Sequence, residues 1–106
     1  MIGIYKITNK INGKSYIGES IRIEQRWRDH QMRSQTSLIH RALEKYGVEN
    51  FTFEVLEQCN QADLDEREKY WIAYYNTFED GYNLTRGGGE GFKYDVEEVY
   101  QTFLQL

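Results

Sequence analysis

The sequence holds one cysteine, Cys59, so an internal disulfide is excluded and a reducing cytoplasmic setting is the simplest expectation. No apolar run approaches the ~20 residues that a membrane-spanning helix needs. The start, MIGIYKITNK, alternates apolar and polar residues and lacks the long apolar core of a secretory leader. Cationic excess is missing too: 13 Lys and Arg against 17 Asp and Glu leave a net charge of -4. That balance argues against an indiscriminate grip on a polyanion. Residues 86–91, RGGGEG, lack the Lys-Ser/Thr ending of a phosphate-binding loop, and they follow no strand that opens a dinucleotide-binding helix. A single Cys and two separated His residues cannot make a structural zinc site. Neither His stands in sequence as an obvious base for Cys59. The two sequons, at Asn50 and Asn83, carry little weight in a chain with no sign of secretion.

What remains is a chain of 106 residues, enough for one core, rich in aromatic side chains with nine Tyr, five Phe and two Trp. Charge is uneven along it. Residues 1–58 carry nine Lys/Arg and seven Asp/Glu, a balance of +2, whereas residues 59–106 carry four and ten, a balance of -6. A modest basic face opposite an acidic one is compatible with that split.

Hydrophobic periodicity gives the element order β-β-α-α-β-α followed by a tail. Residues 2–8 and 14–19 read as strands joined through Asn12-Gly13, a pair suited to a type I′ turn, with Ile11 opposite Lys14. That hairpin places Tyr5, Ile7, Tyr16 and Gly18 on one face. Ser20 caps a helix over about 22–33, where Ile23, Trp27 and His30 cluster with Arg26 and Arg33 beside them. A second helix, about 37–46, is capped by Thr36 or Ser37 and stopped by Gly47; it points Leu38, Ile39, Ala42, Leu43 and Tyr46 inward, with His40 at the margin. Residues 51–58 alternate as a third strand, with Phe51, Phe53, Val55 and Glu57 on one side. A third helix covers about 61–75, with Leu64, Trp71, Ile72 and Tyr75 inward. Residues 76–94 read as irregular. The expected domains are a compact unit over 1–86, a glycine-containing linker over 87–94, and a helical tail over 95–106. The tail's strip of Val99, Tyr100, Phe103 and Leu104 suggests either docking or the start of a downstream region.

Within this pattern Glu68 is the residue that burial does not explain. At about 100° per residue it falls inside the third helix's apolar stripe, between Leu64 and Ile72, while Asp65, Glu66 and Lys69 turn away. An isolated buried carboxylate costs several kcal/mol or takes up a proton. A metal ion, an arginine or a polar cleft removes the conflict; a structural ion pair or an edge position would also do so. Arg26 and His30 are four residues apart and share a helix face, so a guanidinium and an imidazole can reach one phosphate. Equally, they can be a solvated charge and a satisfied core residue. Tyr5 and Tyr16 are by default core aromatics whose hydroxyls can still approach a common cleft. Gly18 permits a close approach by a phosphate or another backbone. Asn83 can tie down its irregular passage or touch a substrate.

Five ordered stretches then resemble the GIY-YIG nuclease family. Gly3-Ile4-Tyr5 and Tyr16-Ile17-Gly18 match the name-giving triplets. Gln25-Arg26-Trp27-Arg28-Asp29-His30 is similar to the arginine–histidine motif, Arg67-Glu68-Lys69-Tyr70-Trp71-Ile72 to the metal-binding glutamate helix, and Gly81-Tyr82-Asn83-Leu84 to the closing asparagine motif. The resemblance implies a small three-stranded antiparallel sheet flanked by helices, and a phosphodiester hydrolase acting on double-stranded DNA. It implies one divalent ion, Mg²⁺ or alternatively Mn²⁺, held by Glu68. It assigns phosphate charge to Arg26, water activation to Tyr5, proton transfer or positioning to Tyr16 and His30, site support to Asn83, and tight geometry to Gly18. Homing-type and phage-like endonucleases of this kind add a DNA-recognition module, expected here downstream of the glycine-rich passage. A catalytically weak DNA-binding or regulatory module on the same scaffold is the alternative.

Overall fold

The computed structural model describes residues 1–31 and 37–87. Strand β1 (Gly3–Asn9) is the centre of a three-stranded antiparallel sheet, flanked by β2 (Ser15–Ser20) on one side and β3 (Phe51–Gln58) on the other. Between β2 and β3 run two helices, α1 (Ile23–Gln31) and α2 (Leu38–Tyr46). After β3, one 3-10 turn at Gln61–Asp63 leads into α3 (Leu64–Tyr75). The order and architecture are those expected from the pattern of the sequence.

Alternation along β1 sorts its side chains to two separate cores. Tyr5 and Ile7 join Tyr16, Ile23, Ile39, Ala42, Leu43 and Phe51 under α1 and α2. Ile4 joins Ile17, Leu64 and Ile72 under α3. A central strand covered on both faces has little room for polar side chains, which is why Ile4, Tyr5 and Ile7 are all fully buried.

Three local expectations change. The hairpin register pairs Tyr5 with Gly18 and Ile7 with Tyr16, and the Asn9 amide donates to the Lys14 carbonyl, so the loop is four residues long. Gly13 has a positive φ of 77° but Asn12 does not, so no type I′ turn forms there. Instead the Asn9 and Asn12 side-chain oxygens accept the amides of Ile11 and Lys14, and both side-chain amides donate to the Tyr82 hydroxyl. The expected face survives because a slip by two residues preserves the alternation. In β3 a bulge opposite Ile4 and Tyr5 inserts one residue, so Glu57 does not continue the Phe51–Phe53 side. It turns to α3 and accepts bonds from Arg67 Nε at 2.7 Å and Trp71 Nε1 at 2.9 Å. Finally, Leu38 and Tyr75 are substantially exposed rather than inward: Leu38 opens α2, and the Tyr75 ring lies against the Lys6 ammonium of β1, 4.0 Å from its centroid.

Helix α3 stops at Asn76, a left-handed residue whose amide, with that of Thr77, bonds back to the last turn. The following segment returns along the outer edge of β2. Gly81 is needed there because a Cβ would strike the Ser15 carbonyl oxygen and the Thr77 backbone. The expected continuation of the first helix to residue 33, a cap at Thr36, and the linker and tail beyond Gly87 lie outside the described residues.

Candidate active site

The α1/α2 face of the sheet gathers Tyr5, Tyr16, Gly18 and His30. Gly18 stands directly across from Tyr5, and a Cβ at position 18 would overlap the Tyr5 phenol carbon and hydroxyl. The space that the sequence left to a phosphate or a backbone is occupied by this ring. Tyr5 is fully buried, and its hydroxyl is 2.7 Å from His30 Nε2. Tyr16 retains 7% exposure and meets the His30 ring edge-on, with centroids 5.5 Å apart.

His30 uses its second nitrogen as well. Nδ1 is 3.0 Å from His40 Nε2, the two imidazoles are stacked, and His40 Nδ1 meets the Ser37 hydroxyl. Burial pushes the His30 pKa down to about 3, helped by the neighbouring Arg26 cation and opposed by Asp29. The resting imidazole is therefore neutral at physiological pH, with one N–H and one acceptor nitrogen. Arg26, one turn earlier on α1, is partly buried.

Asn83 occupies the edge of β2. Its side-chain oxygen accepts the Ile17 amide and its side-chain nitrogen donates to the Ile17 carbonyl, each at 2.8 Å. The side-chain amide imitates a neighbouring strand at the residue between Tyr16 and Gly18, tying the 77–83 segment to the second triplet. These bonds tie the irregular passage down, one of the two roles that the sequence leaves open for Asn83.

Glu68 belongs to the other face. It is 4% exposed on α3, among the helix's buried positions Leu64 and Ile72. Gly87 lies against it: a Cβ there would come within 2.9 Å of Glu68 Oε1. Thus Tyr5, Tyr16 and His30 are in contact with one another, while Glu68 is carried by the layer across the sheet. Strand β2 is common to both. Beyond its end, Glu19 and Ser20, the α1 residues Arg22, Gln25, Arg26 and Asp29, and the first turn of α3 enclose a cleft of about 590 Å³. Arg26 and the start of the Glu68 helix therefore face one opening.

Among the described residues no three His, Cys, Asp or Glu side chains converge on a point. An all-protein metal cage is not the arrangement here. A single carboxylate beside a side-chain-free glycine fits a hard divalent ion that keeps several waters and takes its remaining ligands from a phosphate. Cys59 offers no rival chemistry, since burial and nearby carboxylates push its thiol pKa up. Glu57 is a structural carboxylate, held below the usual range by the Trp71 and Arg67 hydrogen bonds.

The sequence pattern of the GIY-YIG catalytic domain matches residues 1–83. The chain belongs to the GIY-YIG nuclease family. It is 39% identical over 90 residues to the putative endonuclease segB of Enterobacteria phage T4, a match covering 83% of this chain and 39% of that protein. It is 35% identical over 89 residues to intron-associated endonuclease 1 of the same phage, covering 77% and 36%. The chain thus spans less than two-fifths of the length of these curated relatives. Two solved structures of the catalytic domain of the homing endonuclease I-TevI, one of them a mutant, superimpose with a TM-score of 0.68 at 30% identity. They cover 80% of this chain and 94% or 99% of theirs. GIY-YIG membership supports a DNA-cleaving nuclease activity of this general kind, with metal-dependent catalysis.

His40 and Ser37 are the polar residues of this face that the sequence did not single out. The only available signal was a second histidine beside an apolar stripe, which is as readily read as packing.

Proposed function

We propose that this GIY-YIG domain hydrolyses a phosphodiester bond of double-stranded DNA, with one divalent ion, Mg²⁺ or Mn²⁺, held by Glu68. The observation that carries the reading is the GIY-YIG match over residues 1–83, within which Glu68, 4% exposed on α3, stands at the position resembling the family's metal-binding glutamate. Such a group is costly to keep charged unless a cation or hydrogen bonds offset its desolvation. When bound, the ion supplies positive charge beside a non-bridging phosphate oxygen.

The residues of this chain divide the other tasks. Arg26 presents a planar donor fork to the phosphate and offsets charge that builds up during the in-line displacement. The Tyr5–His30 pair takes the proton from the attacking water. A phenol with a reference pKa of roughly 10 is a weak base at neutral pH, so its coupling to an imidazole acceptor is what suits it to this step. Tyr16 packs edge-on against His30 and borders the same group. Asn83 acts through the backbone by holding the Tyr16–Gly18 stretch of β2 in place. A net charge of -4 favours target choice by a DNA-recognition module C-terminal to the domain, beyond a glycine-containing linker over 87–94. No helix among the described residues is long and apolar enough to cross a membrane, and the lone cysteine suits the cytoplasm.

The test compares wild type with Glu68→Ala, both verified as folded by circular dichroism, on supercoiled and linear DNA with Mg²⁺ or Mn²⁺. Wild type is expected to nick or cut only with the divalent ion, and the variant to lose on the order of 100-fold or more in rate. Equal cleavage by both proteins would remove Glu68 as the ligand. DNA binding without any turnover by wild type would favour the regulatory-module alternative.

A further inference from the structure

The α1/α2 face contains a connected chain of polar groups that runs away from the reacting centre, from Tyr5 through His30 and His40 to Ser37. Every member is buried: Tyr5 is 0% exposed, His30 1%, His40 5% and Ser37 5%. Buried polar groups in a low-dielectric setting require partners, and here they supply one another. Three contacts make the chain: the Tyr5 hydroxyl with His30 Nε2 at 2.7 Å, His30 Nδ1 with His40 Nε2 at 3.0 Å, and His40 Nδ1 with the Ser37 hydroxyl. Both nitrogens of both rings are used.

Ser37 makes the arrangement more than a coincidence of packing. It occupies the N-cap of α2 with extended backbone angles, φ -67° and ψ 164°, where a serine hydroxyl ordinarily accepts a backbone amide. It makes no such cap bond. Its hydroxyl turns to the His40 ring instead, forgoing the stabilisation of a helix cap.

We infer that His40 and Ser37 are positioning residues that fix His30 as its Nδ1–H tautomer, so that Nε2 is the acceptor of the Tyr5 proton. The inference rests on the proposed role of the Tyr5–His30 pair in water activation. In this sense of the chain, Tyr5 O–H donates to His30 Nε2, His30 Nδ1–H donates to His40 Nε2, and His40 Nδ1–H donates to Ser37 Oγ. When a water proton arrives at the Tyr5 oxygen, the original Tyr5 proton moves to His30 Nε2. The hydroxide retains the electron pair used to attack phosphorus. His30 then carries the positive charge, and its Nδ1–H bond to the neutral His40 strengthens. This is the orienting task that a carboxylate performs in a catalytic triad, done here by a neutral ring and a hydroxyl.

A neutral orienting group suits these surroundings. His30 faces Tyr5 from β1, Tyr16 from β2, Arg26 and Asp29 on its own helix, and His40 with Ser37 from α2. Burial, and secondarily Arg26, disfavours a proton on the ring while the site is at rest. A phosphate bound by Arg26 cancels that repulsion, so the acceptor becomes more basic when the substrate is in place.

Nitrogen-15 NMR of the histidine side chains in the unliganded protein tests the tautomer without any need for turnover. His30 is expected with a protonated Nδ1 and an unprotonated Nε2; the reverse assignment would overturn the inference. Ser37→Ala should let His30 populate both tautomers, and Ser37→Thr, which keeps the hydroxyl, should restore the wild-type spectrum. His40→Leu removes both ring nitrogens while keeping an apolar side chain, so His30 Nδ1–H loses its acceptor. On supercoiled DNA with Mg²⁺ it should lower kcat about 10-fold, leave KM within twofold, and shift the acid limb of the kcat–pH profile. A folded His40→Leu protein with wild-type kcat and profile would also overturn it. Should His40→Leu fail to fold, Ser37→Ala decides by the same readouts. An inactive wild type with the expected His30 spectrum would sink the nuclease reading and leave the tautomer assignment standing.

Discussion

The two faces of the sheet solve the burial of polar groups in opposite ways. Under α1 and α2 Tyr5, His30, His40 and Ser37 form a hydrogen-bonded line. On α3 a carboxylate, Glu68, is buried on the same helix as Leu64 and Ile72. The first arrangement satisfies both nitrogens of each ring through neighbouring side chains. The second places an acidic side chain on a helix face otherwise buried through Leu64 and Ile72. The tyrosine–histidine group and the buried carboxylate are thereby carried by separate layers, with β2 between them.

Gly18→Ala should break the tyrosine–histidine face most severely. The added methyl overlaps the Tyr5 phenol, and the ring cannot move without leaving His30. Loss of about 3 kcal/mol of stability is expected by denaturant titration, with loss of cleavage even where folding is restored at low temperature. Activity equal to wild type would show that the Tyr5–His30 bond is dispensable. Arg26→Lys sharpens the contrast from the substrate side. It keeps the charge but not the fork, so turnover should fall roughly 10- to 100-fold with little change in melting temperature. Unchanged kinetics would deny Arg26 a specific phosphate contact.

Asn83→Ala addresses the strand that joins the layers. It leaves the Ile17 amide and carbonyl without their partners, at about 2 kcal/mol in total, and should raise hydrogen exchange along β2 more than along β3. Uniform exchange in both strands would contradict its role as an edge clamp.

A last effect concerns pH and accumulates gradually over several units. Unfolded His30 takes a proton near its ordinary pKa of 6.5, whereas the folded ring resists until about 3. Its contribution is therefore full above pH 6.5 and is lost progressively as pH falls toward 3, at about 1.4 kcal/mol per pH unit in the steepest part. His30→Gln should flatten that part of the stability curve by about one proton. An unchanged slope would mean that the buried ring is protonated more readily than its surroundings imply.

Much of this molecule was legible before folding was considered. Periodicity alone located three strands and three helices, because a period of two or of 3.6 shows directly in residue order. Glu68 stood out because a charge inside an apolar stripe conflicts with burial, and the family motifs placed Tyr5, Arg26, His30 and Asn83 in order. The hairpin loop and the β3 bulge were not legible. Their geometry depends on the Tyr82 hydroxyl and on the pull of Arg67 and Trp71 on Glu57, contacts between residues far apart in the chain.

By itself the sequence determined the element types, the apolar faces and the identity of the nuclease family, since all three are carried by residue type and spacing along one dimension. Tertiary structure decided who partners whom: that Gly18 makes room for Tyr5, that Asn83 grips the backbone of Ile17, and that Ser37 abandons its helix cap for His40. Hydrogen bonds are short and directional, so their partners are fixed only when packing brings distant segments within about 3 Å.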